Sequence, residues 1–278
     1  MSTPAPATTV VPKKKKLSPR KRSRRLRIVQ YILLGLALVL VAMFADGRQF
    51  QQVFFRPDMI AKTLSGNLLR ALLNTVIYTI GAFVFGLLLG TLLALMKLSQ
   101  VAPYRGLATT YTEFFRGVPA IIVLLAFNLL PIAFPGMHLP WEPYGTVWTA
   151  LGMVSAAYMS ETIRAGIQAV PKGQMEAARS LGMPAGMAMQ RIILPQAFRI
   201  ITPPLTNELV LLTKDSSLVY VLGLTVSDFE LTKFGRDLAN SNGNLTPLIV
   251  AGLCYLIITL PLTYLVRRME AKQRKATR

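Results

Sequence analysis

The segment from Met175 to Ala197, MEAARSLGMPAGMAMQRIILPQA, lies between two stretches apolar enough to cross a bilayer, yet it begins with the pattern of a water-exposed helix. Pro171 stands just ahead of it, where a missing N–H costs least if a helix starts there. The residues from Lys172 to Leu181 are good helix formers, and Gly182 followed by Pro184 ends the helix. The sequence therefore predicts a helix of about ten residues outside the membrane, as one arm of a helical hairpin.

This polar helix offers features that a partner protein could bind. Ala177 and Ala178 are small and stand side by side, and Glu176 and Arg179 have the spacing to form a pair on the wet face. The whole loop covers about residues 166–199, whereas connections between helices usually run about 2 to 8 residues. The segment favours a docking element, and a connector with good helix ends is the alternative.

Apolar residues make up 53% of the 278 residues, and they cluster into runs long enough to cross a bilayer, which takes about 20 residues. We predict an all-α membrane protein with about six transmembrane helices. An even number of spans leaves both termini on the same side of the membrane. The predicted spans are residues 28–46, 68–96, 117–135, 145–163, 200–224 and 246–266.

The net charge of +19 is distributed as a membrane protein requires. With both termini in the cytoplasm, the inner segments hold 24 of the 31 basic residues, as the positive-inside rule expects. We therefore predict a multi-pass protein of the cytoplasmic membrane, not a nucleic-acid binder. Residues 1–27 are predicted to form a disordered basic tail that is attracted to anionic membrane lipid, and residues 269–278 a basic cytoplasmic C-terminal tail.

No constellation of catalytic or metal-ligating residues stands out. Cys254 is the single cysteine and His138 the single histidine, which argues against a disulfide, a His-based metal cluster and a catalytic triad. The chain has no phosphate-binding GxxxxGK[ST] pattern, no HExxH and no GxSxG. The expectation is a chain that is not an enzyme, binds no metal or cofactor itself and cannot hydrolyse ATP alone.

Polar residues are concentrated in the fifth predicted span. Exposing polar and charged side chains to lipid is unfavourable in free energy, so we do not expect this span to face lipid. It should face a partner subunit or an aqueous path, so its polar side chains are candidates for a translocation path, and a polar subunit seam is the alternative. The candidates there are Asn207, Glu208, Lys214, Asp215, Ser216 and Ser217.

Glycine and proline interrupt two of the predicted spans. Gly117 and Pro119 break the third span beside Arg116, and Pro203 with Pro204 opens the fifth. Broken helices near a transport path can turn N–H groups toward an anionic carboxylate, so these residues join the candidate path, although kinks that only serve packing are the alternative.

Three other groups of residues favour structural roles. Arg116 and Glu113 stand near the inner boundary, where long charged side chains can simply reach for water. Glu161 and Arg164 are i, i+3 partners that favour a structural pair. Small residues in the second span, namely Gly81, Ala82, Gly86 and Gly90, predict a helix-packing face.

The opening segment resembles the EAA loop of ABC importer permeases at every signature position. The pattern is Glu176-Ala177-Ala178, three residues, Gly182, nine residues, Ile192, one residue, and Leu194-Pro195. The flanks AYMSETIRAGIQAVPKGQMEAARSLG and NELVLLTKDSSLVYVLGL are similar to the polar amino-acid uptake branch of that family. In FFRGVPAIIVLLAF, Val118 stands where that branch usually has Thr, and the resemblance runs over about residues 66–268.

The resemblance implies a type I importer fold of the MetI-like kind, with the EAA segment as a coupling helix that contacts a separate ATP-binding subunit. It implies two such ATP-binding cassette subunits, which use ATP and Mg²⁺, and an extracytoplasmic solute-binding protein. One EAA loop supplies half a transporter, so a second permease subunit, identical or homologous, is expected. The cargo would be a polar amino acid of the glutamate, glutamine, arginine, histidine or cystine class. A secondary amino-acid transporter or channel remains the alternative.

Overall fold

The computed structural model describes residues 19–44 and 46–276, and regular structure in that part of the chain is helical throughout. The chain divides into two compact units, Met1–Gln52 and Val53–Arg278. The α-helices are α1 (Pro19–Phe44), α2 (Gly47–Phe54), α3 (Pro57–Ser65), α4 (Leu68–Leu98), α5 (Ala102–Gly117), α6 (Ala120–Asn128), α7 (Leu130–Ala133), α8 (Tyr144–Gln168), α9 (Lys172–Ser180), α10 (Ala185–Ala188), α11 (Leu194–Asp215), α12 (Leu231–Asn242) and α13 (Thr246–Ala276). A π-helical turn, Met189–Ile193, joins α10 to α11, and two 3₁₀ turns, Ser216–Val221 and Val226–Asp228, follow α11.

The first unit contains α1, which begins within the predicted basic tail. The helix begins at Pro19, so residues 19–27 of that tail are helical, while residues 1–18 lie outside the described residues. Arg, Lys and Leu are good helix formers, and Pro is favourable at a first helical position, which explains why the span extends backward into the basic run. The predicted C-terminal tail is likewise a continuation of α13, as far as Ala276.

The second unit is built around α8, which packs along α4. A side chain at Gly81 would meet the Trp148 indole at 2.1 Å, and one at Gly86 would meet Ser155 Oγ at 2.2 Å. Gly90 would bring its added carbon within 3.0 Å of the Ala156 carbonyl oxygen. The predicted small-residue packing face is therefore confirmed, because only small residues allow two helices to approach this closely.

The membrane spans are less uniform than the sequence predicts. Within the described residues, Leu68–Leu98 and Thr246–Gln273 are each long and apolar enough to cross a membrane, with mean hydropathy 2.2. The break predicted at Gly117 and Pro119 is confirmed, since α5 ends at Gly117 and meets α6 there at a bend of 100°. Val118 is extended there, as the residue before a proline prefers, and Pro119 has no N–H with which to continue α5. The count of six spans stays a prediction.

Pro203 and Pro204 do not open a helix as predicted, since they lie inside α11. A proline removes the hydrogen bond to the carbonyl four residues earlier, which for Pro203 is that of Arg199. The Gln273 side-chain amide of α13 donates to this carbonyl instead. The helix thus runs unbroken from Leu194, and no new helix amino terminus arises at these prolines.

Candidate coupling surface and cavity

Helix α9 forms where the opening segment predicts it and ends in a glycine-dependent turn. Gly182 has φ +82°, in the left-handed region that favours glycine. Its N–H donates to the Arg179 carbonyl at 3.0 Å, and the Met183 N–H donates to the Ala178 carbonyl at 3.1 Å. This pair of bonds is a Schellman motif, which satisfies the last carbonyls of the helix and reverses the chain toward Pro184.

The exposed face of α9 is narrower than the sequence suggests. Ala177 is exposed beside the exposed Glu176, whereas Ala178 is only 2% exposed and faces the rest of the protein. Successive helical residues point about 100° apart, so two adjacent alanines cannot share one surface. Leu181, at the carboxyl end, is 85% exposed and extends the accessible face with an apolar side chain.

The predicted pair between Glu176 and Arg179 does not form. The Arg179 guanidinium donates instead to the Met183 carbonyl at 3.2 Å. A cation at the carboxyl end of a helix is favoured by the helix dipole and by free carbonyls, which outweighs a solvent-screened pair. The Glu176 carboxylate is therefore left accessible on the exposed face.

Apolar side chains hold α9 against the ends of α8 and α11. Met175 from α9 packs on a cluster that includes the buried Val170 and Ile193. Ile192 joins the same cluster, so this signature residue serves packing within the chain. Helix α9 is thus held by apolar packing against the segments on either side of it.

The Leu194-Pro195 part of the signature lies at the π-helical turn. The Leu194 N–H donates to the Met189 carbonyl, five residues earlier. Pro195 has no N–H, so the ordinary helical bond to the carbonyl four residues before it cannot form. A widened turn accommodates this gap, and π turns of this kind occur frequently at functional sites.

A cavity of about 470 Å³ lies where the α5–α6 break meets α8 and α11. Five of the predicted path residues line it: Arg116, Gly117, Pro119, Glu208 and Asp215. Its remaining lining consists of Val118, Ala120, Val154, Tyr158 and Leu211. The residues from α11 stand at i, i+3 and i+7, which places them on one face of that helix.

The other predicted path residues are absent from the lining of this cavity. Asn207 and Lys214 are exposed on an adjacent part of α11, and Ser217 is half-buried in the following 3₁₀ turn. Ser216 is fully buried, and its hydroxyl donates to the Thr213 carbonyl at 2.7 Å. Ser216 is therefore a packed residue whose hydroxyl bonds within its own turn, which argues against a role in the path.

The charges around the cavity are separated. The Arg116 guanidinium lies 5.6 Å from the centre of the Tyr158 ring, a cation–π distance. Glu208 and Asp215 bring carboxylates from the opposite helix, and no ion pair joins either of them to Arg116 in the described part of the chain. A cavity of this size can hold a small molecule with both a negative and a positive group.

The predicted pair of Glu161 and Arg164 is confirmed, with an Arg164 nitrogen 2.7 Å from the Glu161 carboxylate. A third member that the sequence did not predict is Lys97 of α4, whose ammonium also pairs with Glu161. Lys97 stands 64 residues away in the chain, and the only sequence signal was a lysine at the end of an apolar run. Pairing over that distance requires knowledge of how α4 and α8 pack.

Known proteins similar to this chain are transport components, in agreement with a cavity that can hold a small molecule. Residues 83–275 match the family described as "Binding-protein-dependent transport system inner membrane component". The arginine transport system permease ArtQ of Bacillus subtilis is 39% identical over 205 residues, which cover 74% of this chain and 91% of ArtQ. The glutamate/aspartate import permease GltK of Escherichia coli O6:H1 is 39% identical over 211 residues, which cover 74% of this chain and 92% of GltK.

Solved structures show the same fold. An amino acid ABC transporter crystallised with histidines superposes with a TM-score of 0.68 at 36% identity, covering 77% of this chain and 97% of that one. The MetNI methionine ABC transporter has a TM-score of 0.59 at 20% identity, covering 78% and 99%, which confirms the MetI-like fold alone. Members of this family are membrane components that leave ATP hydrolysis to a separate subunit and work with a binding protein. The chain belongs to the family of binding-protein-dependent transport system inner membrane components, the permease subunits of ABC importers.

Proposed function

We propose that this chain forms one half of the membrane pathway of an importer for a polar amino acid. The supporting observation is the cavity between α5–α6 and α11, where Arg116 stands across from Glu208 and Asp215. A free amino acid carries a carboxylate and an ammonium group, and separated charges of opposite sign match both. The two permease relatives are named for arginine and for glutamate and aspartate, so the shared requirement is the amino-acid backbone.

In this proposal the α5–α6 break is part of the path. Gly117 and Pro119 line the cavity, and Ala120 adds the first turn of α6 to it. The amino end of a helix carries free N–H groups and a partial positive charge, which favours a carboxylate. Arg116 and this helix end would together bind the cargo's carboxylate, and Glu208 its ammonium group. Asn207, Lys214 and Ser217, exposed or half-buried beside the cavity, would border the path without contacting the cargo.

The coupling surface of the proposal is α9 with its glycine turn. Glu176, Ala177 and Leu181 would contact an ATP-binding subunit, and Gly182 would shape the turn. Ala178, Ile192, Leu194 and Pro195 would support that surface from inside the chain. The complex would contain two ATP-binding subunits, a second permease and an extracytoplasmic binding protein, with ATP and Mg²⁺ used only by the partners. Both termini would lie in the cytoplasm, in contact with membrane lipid and not with nucleic acid.

The test is uptake by the purified complex in liposomes. The chain is expressed with the partner subunits from its source, and labelled arginine, glutamate, glutamine, histidine and cystine are offered with ATP inside the vesicles. We expect uptake of at least one of them that needs ATP and the binding protein. Uptake driven by an ion gradient without ATP would support the secondary transporter instead. Transport of a sugar or an inorganic ion in place of an amino acid would overturn the proposed cargo.

A further inference from the structure

Lys97 ends α4 in a position that joins three helices. Its side chain is 8% exposed, although it carries a full charge. The ammonium pairs with Glu161 Oε1 of α8 and donates to the Thr112 hydroxyl of α5 at 2.6 Å. The Thr112 hydroxyl in turn donates to the Ala108 carbonyl of its own helix at 2.9 Å. Lys97 thus adds a charged connection between α8 and α5, beside the hydrogen bond that the Tyr111 hydroxyl of α5 donates to the Met153 carbonyl of α8 at 2.9 Å.

The α8 side of the junction is held by Arg164. Its guanidinium donates to Glu161 Oε2 through two nitrogens, at 2.7 and 3.0 Å, which leaves Oε1 for Lys97. A third nitrogen of Arg164 donates to Gln168 Oε1 at 2.7 Å, at the last residue of α8. Both bonds go to one oxygen, so Arg164 holds Glu161 Oε2 near the end of α8 through charge-assisted hydrogen bonds. The carboxylate therefore moves with the end of α8.

The junction lies between helix α9 and the cavity lined by the α5–α6 break. Helix α8 ends at Gln168, and α9, the proposed docking helix, begins four residues later at Lys172. On the other side, α5 carries Thr112 and runs into the break at Gly117, which lines the cavity. A displacement of the end of α8 therefore reaches α5 through Lys97, one helical turn from the cavity lining.

We propose that Lys97 is a positioning residue. It transmits movement of the connection between α8 and α9 to α5, and so to the α5–α6 break. The inference rests on the proposed function of α9 as the ATPase-docking helix. Lys97 is buried, so movement of Glu161 away from it would leave the lysine charge unpaired in a poorly solvated place, which makes this contact a directional tie. The hydrogen bond from Tyr111 to the Met153 carbonyl involves no charged group and lies farther from the end of α8.

The experiment measures coupling in the complete complex in liposomes, as moles of amino acid imported per mole of ATP hydrolysed. Lys97→Met keeps the length of the side chain and removes its charge, while Glu161 keeps Arg164 as partner. Thr112→Val removes only the hydroxyl that faces Lys97. The matched control is Thr79→Val, since Thr79 is equally buried but its hydroxyl bonds only within α4, to the Thr75 carbonyl at 2.8 Å. Lys97→Arg tests rescue by a retained charge.

We expect Lys97→Met and Thr112→Val to lower the import per ATP at least about fivefold, the lower end of ordinary coupling between sites. Both should bind the ATPase subunit and melt at a temperature close to that of the Thr79→Val control. Lys97→Arg should recover part of the loss. A purely structural role for Lys97 would lower the melting temperature and the yield without changing the ratio.

The inference would be overturned if an assembled Thr112→Val complex imported amino acid per ATP within twofold of wild type. This outcome would be decisive even if the Lys97→Met complex did not assemble. Failure of the proposed function looks different, because the wild-type complex itself would then show no substrate-stimulated ATP hydrolysis or no amino-acid uptake. A coupled wild type with coupled variants rejects only the role of Lys97.

Discussion

The α9 corner and the α5–α11 cavity differ in how far apart their parts lie in the chain. The corner is made by neighbours, from Pro171 to Pro195, and its shape follows from a proline, a glycine and a second proline at short offsets. The cavity takes residues from α5, α8 and α11 that are up to about a hundred positions apart. Local backbone chemistry specifies the first region, whereas helix packing decides which polar side chains meet in the second. Variants in the two regions should therefore fail in different ways.

The largest effect is expected at Gly182, because the turn after α9 depends on the left-handed backbone conformation of this residue. A β-branched residue in the left-handed region costs about 1–2 kcal/mol, and the turn that presents α9 would be lost in most molecules. Gly182→Val should therefore reduce substrate-stimulated ATP hydrolysis by the complex at least about tenfold, since 1.4 kcal/mol is a factor of ten. The measurement is ATP turnover with and without the loaded binding protein.

Gly182→Asn is the matched control, because Asn tolerates the left-handed region and no atom lies within 4 Å of the added carbon. It should keep ATP turnover within twofold of wild type. Gly182→Asp shares this backbone tolerance but adds a charge, so a loss in Asp without a loss in Asn would point to electrostatic repulsion at the docking surface. Equal activity of the Val and Asn variants would show that the turn is not required.

A smaller effect is expected at Glu208, in the cavity. Replacing this carboxylate by an amide keeps the shape and removes the charge, and a hydrogen bond to a charged group contributes about 1.5–3 kcal/mol. Glu208→Gln should weaken substrate-dependent uptake by about fivefold, because the amide oxygen can still accept a hydrogen bond from the cargo, while ATPase docking through α9 stays normal. The measurement is the concentration dependence of uptake, with binding of the ATPase subunit as the second readout.

Ser216→Ala is the control for Glu208, since Ser216 lies in the same polar stretch but is buried with its hydroxyl bonded to Thr213. Its uptake should remain close to wild type. A loss in Ser216→Ala that matched the loss in Glu208→Gln would mean that the fold of α11, and not the cavity charge, limits transport.

The sequence predicted the corner in detail because its signals act over a few residues. The bounds of α9, the stop at Gly182 and the packing glycines of α4 are all confirmed. The wrong or missing predictions concern the direction in which a side chain points and contacts between residues far apart in the sequence. Ala178 faces inward because the helix rotates each residue by about 100°, and Lys97 finds Glu161 only after α4 and α8 pack. In the fifth predicted span, composition marked six polar residues but could not separate Glu208, which lines the cavity, from Ser216, which is buried.

The smallest effect is expected at Lys214, and it sharpens the comparison within α11 itself. Lys214 is exposed and absent from the cavity lining, whereas Asp215, the next residue, lines it. Lys214→Ala should change the half-saturating substrate concentration less than twofold, while Asp215→Asn should raise it several-fold, because adjacent helical residues point in different directions. The measurement is uptake in complexes made with each variant at matched protein density. A larger loss in Lys214→Ala than in Asp215→Asn would place the substrate contact on the exposed face of α11, where a second permease would meet this one. The path would then run along the boundary between the two subunits and not through the cavity of each.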